Sequence, residues 1–428
     1  MQTKPSLVWP YYFALFWVSV LIFVLPIAGT ATFRTLGLLL PLAVLIWRNW
    51  SLRDIQWLRA GYEWPFFLFL LAGIASLPTS IDFRESLGEI KGELIVPILL
   101  FYVIYLTVRG EKEAKFLLKA LFCGTLVFNV YSFYDFYRHH GDWFTPVYRA
   151  GGLRDPGGGE AAAVYHTMLF PFLLFGAIYA SRNWQKVIMI VLMFMNLLAL
   201  HITFTRAAYV AIACQLLAIA LILLLDRRWL LATGLLVFIC ATGVVYKHNN
   251  MLREVHTQKV LTITEFMAMT PQQIAGPNPT SMQQRLAMWK TALDKITEKP
   301  FYPHGYGRFL FGPAVRTQDN KIFIHKQTHN TFIGTAFELG IQGLLVFLWM
   351  IGTFFWVCCK YLRRAATPFG RYFAASLLVM MVGYWVNNFF GSFDGDDSKL
   401  LFMTLLGIGM AVMHRIPHFS TQSGGAVE

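Results

Sequence analysis

Charge is scarce in this chain. Only 14% of its 428 residues are Asp, Glu, Lys or Arg, while 56% are hydrophobic. A water-soluble domain needs a charged surface, so this composition excludes one and points to hydrocarbon as the solvent. Cysteine is scarce as well. All five (Cys123, Cys214, Cys240, Cys358, Cys359) fall inside apolar stretches and none in an extended loop. That argues against a disulfide framework or a thiolate metal site, and they read as small core residues. There is no low-complexity tract and no internal repeat. Paired halves with interrupted helices, frequent in transporters, are not apparent.

Long apolar runs are what the chain has instead. A span needs about 20 mainly apolar residues to cross ~30 Å of hydrocarbon. Twelve stretches approach that length: 9–28, 33–47, 64–80, 92–108, 114–137, 161–180, 185–203, 206–225, 229–246, 330–359, 371–391 and 399–414. The expectation is an all-α polytopic membrane protein with about twelve transmembrane helices. The first stretch reads as a retained anchor, because its apolar region is long and Ala28–Ala31 is a marginal cleavage site. The 330–359 stretch is long enough to project beyond a bilayer or to kink.

Orientation follows from the basic residues of the short loops. With the N-terminus cytoplasmic, the inner loops hold seventeen Lys and Arg and the outer ones eight, among them Arg34, Arg149, Arg154, Arg206 and Lys399. That bias places both termini in the cytoplasm and the one long loop outside, which is periplasmic in a Gram-negative cell. The chain then divides into spans one to nine (1–246), the large loop (247–329), spans ten to twelve (330–414) and a short tail (415–428).

The large loop carries eleven Lys and Arg against Glu254, Glu265, Asp294, Glu298 and Asp319. A positive face beside a bilayer favours an anionic partner, or simply anionic headgroups. Within it, Pro271–Pro279 is turn-forming. Ser281–Ile296 reads as a helix capped by Ser281, with Leu286, Met288, Trp289, Leu293 and Ile296 forming an apolar docking stripe. Phe301–Gly312 is irregular, and Gly305 and Gly307 would let backbone N–H groups approach a ligand.

His329 stands where the large loop meets span ten, so its ring can face an external cavity near headgroup depth. A histidine titrating near 6.5 is a natural general base. Asn330 beside it either orients a substrate or caps the new helix. Two rival constellations are weaker. Asp394-Gly395-Asp396-Asp397 has carboxylates spaced for a divalent metal, but a solvated, capping loop accounts for them. His139, His140, His304 and His325 have no ligand spacing for zinc. No metal and no cofactor are expected.

Four stretches carry a resemblance. They are His329-Asn330-Thr331-Phe332 leading to Glu338-Leu339-Gly340-Ile341-Gln342-Gly343; Thr203-Phe204-Thr205-Arg206-Ala207; Arg285-Leu286-Ala287-Met288-Trp289 with Gly305-Tyr306-Gly307; and Gly151-Gly152-Leu153-Arg154-Asp155-Pro156 before Ala161. Together, and in their order along the chain, they resemble the signature of the O-antigen ligase and polymerase superfamily. That family writes asparagines where this chain has Asp155 and Gly157.

The resemblance implies a membrane glycosyltransferase of the GT-C-like architecture in the bacterial inner membrane, with its active site facing the periplasm. Its donor would be an O-polysaccharide on undecaprenyl pyrophosphate and its acceptor the lipid A–core oligosaccharide, with membrane lipids around it and no nucleic-acid partner. His329 would be the catalytic base, and Arg206 and Arg285 would hold the pyrophosphate, since arginine stays charged and grips phosphate oxygens in pairs. Asn330, Gly305, Gly307, Arg154, Arg149 and Arg34 would support them. An O-antigen polymerase and a protein O-oligosaccharyltransferase share this signature. A lipid-linked sugar flippase is the alternative of another class, and it would need ionisable residues at mid-span.

Overall fold

The computed structural model describes residues 9–52, 60–152, 159–237, 263–275, 281–307, 310–315, 327–365, 367–391 and 396–420, and every regular element among them is helical. The helices are α1 (Trp9–Val24), α2 (Ala31–Leu52), α3 (Glu63–Ala75), α4 (Phe83–Ile90), α5 (Val96–Thr107), α6 (Glu111–Arg138), α7 (Glu160–Tyr179), α8 (Asn183–His201) and α9 (Arg206–Leu225). The loop region holds α10 (Ile263–Ala268), α11 (Pro271–Ala275), α12 (Ser281–Glu298) and α13 (Phe311–Val315). The chain returns through α14 (Thr331–Arg364), α15 (Pro368–Phe389) and α16 (Asp396–Ser420).

Among the described residues, each of the twelve expected stretches overlaps a helical segment, and eight helices are long and apolar enough to cross a membrane by length and composition. α1 and α3 are shorter, the segment at 229–237 ends where the described residues end, and α16 is not among the eight. Helices suit this solvent because they satisfy their own backbone groups. Polar side chains that they bury find partners inside the bundle. His166 Nδ1 meets Asn196 Oδ1 at 2.9 Å, and Asn196 Nδ2 donates to the His166 carbonyl at 2.9 Å. Gln215 on α9 donates to the carbonyls of Thr167 on α7 (3.1 Å) and Val379 on α15 (3.2 Å), tying the centre of the bundle together. α7 and α15 are the most buried spans, while α2 and α8 lie at the periphery.

Among the described residues, helical geometry is interrupted at two places. Between α4 and α5, residues Lys91–Ile95 form a π turn, and Glu93 within it pairs with Lys399 of α16 at 2.5 Å, both side chains almost fully buried. Lys399 is therefore an internal ion-pair partner and not an outer-loop charge. The second interruption lies inside α14. Gly340 has φ 74° and ψ 175°, so this element is two helices meeting at a break. The kink expected of the 330–359 stretch sits at that glycine.

Candidate functional site

The break at Gly340 frees backbone groups that an intact helix would have used. The loop after α12 takes them up. His304 donates its N–H to the Phe337 carbonyl (3.3 Å), Gly305 donates to the Glu338 carbonyl (3.2 Å), and Ile341 donates to the Pro300 carbonyl (2.9 Å). The Gly307 N–H goes to the Glu338 carboxylate at 3.2 Å, and the His304 ring stacks on Phe337 with centroids 4.1 Å apart. Tyr306 is clamped from the other side, its N–H donating to Ser76 Oγ (3.0 Å) and its carbonyl accepting from Ser86 Oγ (2.8 Å).

Gly305 and Gly307 both have positive φ, and a Cβ on Gly305 would stand 2.5 Å from Ser80 Oγ. The Gly-Tyr-Gly turn thus seats the loop on α3, α4 and the break in α14, with both glycine amides bonded to protein acceptors. Burial, together with the ammonium groups of Lys295 and Lys299, pulls the His304 imidazole below its ordinary 6.5, opposed by its hydrogen bond to the Phe337 carbonyl.

α12 docks through Ala287, Met288, Ala292 and Ile296 against Phe311, Ala336 and Phe337. The apolar stripe read from the sequence is present, shifted towards its small residues. From this seat α12 reaches three helix ends. Trp289 Nε1 donates to the Thr328 carbonyl at 2.8 Å, fixing the residue before His329. Arg285 Nη1 donates to the Phe390 carbonyl at the end of α15 (2.8 Å), and Nη2 meets Glu160 Oε1 at the start of α7 (3.4 Å).

Asn330 is the N-cap of α14, its side chain accepting from the N–H groups of Phe332 and Ile333 at 3.0 Å each. Of its two expected roles, the geometry displays the cap. His329 before it has φ 49°, a left-handed conformation that a histidine adopts at a cost. Thr328 and Asn330 are buried on either side, and His329 itself is partly exposed.

α9 starts in the same way, with Phe204 at φ 47° two residues ahead of Arg206. The step is held by the 148–150 segment: Ala150 N–H donates to the Ile202 carbonyl (3.0 Å) and Arg149 Nη2 to the Phe204 carbonyl (3.1 Å). Gly159, preceding α7, lies so close to Thr203 that a Cβ there would stand 2.9 Å from its carbonyl oxygen. Arg206 is exposed at the first position of α9.

The N-termini of α7, α9 and α14 are therefore bound into one rim. Gly159 sits against the Thr203–Thr205 step, Arg285 bridges to Glu160, and Trp289 reaches Thr328. Three helix N-termini, each the positive end of a macrodipole, together with Arg149, Arg206 and Arg285, make a setting for an anion. Arg149, a supporting residue on the resemblance, is anchored beside the start of α9. Arg34 plays a different part: its guanidinium closes the α1–α2 turn on Leu25 O (3.1 Å), Ile27 O (2.8 Å) and Thr30 Oγ1 (3.1 Å). Arg154, Asp155 and Gly157 lie outside the described residues, as do Asp394 and His325.

The O-antigen ligase family model matches residues 188–348, which takes in most of α8, all of α9, the loop region and the first half of α14. No curated protein matches the chain. The stretch that carries Arg206, Arg285, His329 and the break at Gly340 lies within this match, which supports the O-antigen ligase/polymerase superfamily.

Proposed function

We propose that the chain is an O-antigen ligase, moving O-polysaccharide from undecaprenyl pyrophosphate to lipid A–core at the periplasmic face of the inner membrane. The observation that carries this reading is the rim of three helix N-termini crossed by α12, with Arg285 on one side of it and the His329 backbone on the other. The donor's leaving group is a pyrophosphate, already stable as an anion. Its negative charge needs neutralising, and guanidinium groups with helix N-termini can do this without a metal.

In this scheme Arg206 and Arg285 hold the pyrophosphate and Arg149 adds charge behind Arg206. His329 takes the proton of the acceptor hydroxyl as its oxygen attacks the anomeric carbon. The bond from that carbon to the pyrophosphate oxygen breaks in line, so the anomeric centre inverts and the carrier leaves as undecaprenyl pyrophosphate. Asn330 stiffens the backbone that presents His329. Gly305 and Gly307 seat the loop that carries α12.

The test combines purified protein, an undecaprenyl-pyrophosphate glycan and lipid A–core in the presence of EDTA. High-mass lipopolysaccharide from the wild type, cut about 10²–10⁴-fold in His329→Ala with donor binding retained, is the expected outcome. Lengthened lipid-linked glycan with untouched lipid A–core would make the protein a polymerase, and glycan on a protein acceptor an oligosaccharyltransferase. Glycan carried across a bilayer with no covalent product would replace the ligase reading with a flippase, for which the buried Glu93–Lys399 pair is the first residue pair to alter.

A further inference from the structure

At the end of the bundle away from the loop domain, a cavity of about 350 Å³ opens between α7, α9 and α15, lined by Tyr179, Leu225, Asp226, Arg227, Arg228 and Arg371. Its charges do not balance. Asp226 is saturated: Arg371 Nη2 and Nε both reach its carboxylate, and Tyr179 OH donates to it at 3.0 Å. Arg227 and Arg228 remain, both exposed, with Arg228 resting over the Tyr179 ring at 5.3 Å.

The backbone here is costly. α9 ends with the N–H groups of Arg227 and Arg228 turned back to the Leu224 and Leu223 carbonyls, a cap in which the Arg227 position takes φ 57°. Glycine fills that position cheaply and arginine does not. A cation near a helix C-terminus gains from the macrodipole, but Arg228 supplies that on its own. Around the mouth, Leu225, Trp229 and Leu230 are exposed apolar side chains. A tryptophan beside aliphatic residues at a helix end marks the headgroup level of a bilayer.

We propose that this cavity binds the phosphate of an anionic phospholipid, with Arg227 and Arg228 on the phosphodiester and Leu225, Trp229 and Leu230 along the start of its acyl chains. The two non-bridging oxygens of a phosphodiester match the two arginines that Asp226 leaves over, and basic pockets between spans are the usual seat of anionic headgroups. Free phosphate shares the charge but cannot use the apolar mouth.

Delipidated full-length protein in neutral detergent, titrated with phosphatidylglycerol, phosphatidylcholine or inorganic phosphate and read by native mass spectrometry, tests this. Phosphatidylglycerol should be retained at a site that phosphatidylcholine and phosphate do not fill. R227A/R228A should weaken it by roughly fivefold for each arginine. R363A/R364A removes the same charge from the exposed end of α14 and should leave the affinity as it was. Arg227→Gly relieves the strained backbone, so it should fold at least as well as the wild type and still bind more weakly. Equal retention of phosphatidylcholine, equal loss in the R363A/R364A control, wild-type affinity in Arg227→Gly, or full displacement by phosphate would each overturn the proposal.

Discussion

The same three helices, α7, α9 and α15, finish differently at their two ends. Away from the loop domain one buried carboxylate locks them together: Asp226 caps α9, accepts from Tyr179 at the end of α7 and pairs with Arg371 in the first turn of α15. At the other end the joints are neutral or loose. Arg285 rests on the Phe390 carbonyl and meets a Glu160 whose side chain is 57% exposed, and Arg149 rests on the Phe204 carbonyl. A carbonyl positions a guanidinium without cancelling its charge, and an exposed carboxylate is screened by water. At the Asp226 end the joint itself is an ion pair, whereas at the loop end the guanidinium groups that join the helices keep most of their charge.

Exchanging the two kinds of joint would break this comparison. Arg285→Ala should raise the KM for lipid-linked donor by about tenfold to a hundredfold, the worth of a hydrogen-bonded charge on phosphate. Thermal unfolding should hardly move, because its partners are a carbonyl and an exposed acid. Asp226→Asn should do the reverse. It strands Arg371 and lowers stability by about 1–3 kcal/mol, less than a fully buried pair would cost because Arg371 is more than a third exposed. Turnover of the folded fraction should stay at the wild-type level. Asp226→Asn lowering kcat with stability intact would erase the distinction between the ends.

Within the loop end, the seat and the site can also be separated. Gly305→Ala puts a methyl group against Ser80 at a φ of 101°. Docking of the 301–307 loop should weaken by about 1–2 kcal/mol. Faster proteolysis at this loop, with donor affinity falling in proportion, would fit a seat for α12. Loss of donor affinity with no change in proteolysis would instead make the glycine amides part of the site.

Several of these joints are visible in the linear chain. Eight spans, helix 281–296 and the cap at Asn330 follow from periodicity and cap chemistry, which act over a few residues. The break at Gly340 has a signal too, since a lone Glu338 and a glycine inside an apolar run are poor helix material. What the pattern lacks is the partner: Pro300, His304 and Gly307 meet the break from more than thirty residues away. Arg371 finds Asp226 across 145 residues and Arg285 finds Glu160 across 125. Lys399 falls among the outer-loop charges for the same reason, because a charge tally sees position and not the Glu93 that the π turn brings beneath it. Arg206 and His329 stand out by type and place, whereas the strained backbone ahead of each helix has no sequence mark.

The smallest effect concerns His304, which holds the loop on Phe337. Free in an undocked loop, the imidazole titrates near its ordinary 6.5, and docked it titrates lower because it is buried near Lys295 and Lys299. Above 6.5 it is neutral in both forms and docking carries no proton cost. As pH falls through 6.5 the undocked loop takes up a proton that the docked one refuses, so docking weakens until pH drops below the docked value. Hydrogen exchange of the Gly305 and Gly307 amides, bonded to Glu338, should therefore show protection falling between pH 7 and pH 5 once intrinsic rates are divided out. His304→Gln should flatten that dependence while keeping a side-chain donor for the Phe337 carbonyl. Undiminished protection at pH 5 would show that the stack on Phe337 accepts the imidazolium, and would make the loop as firmly locked as the Asp226 end.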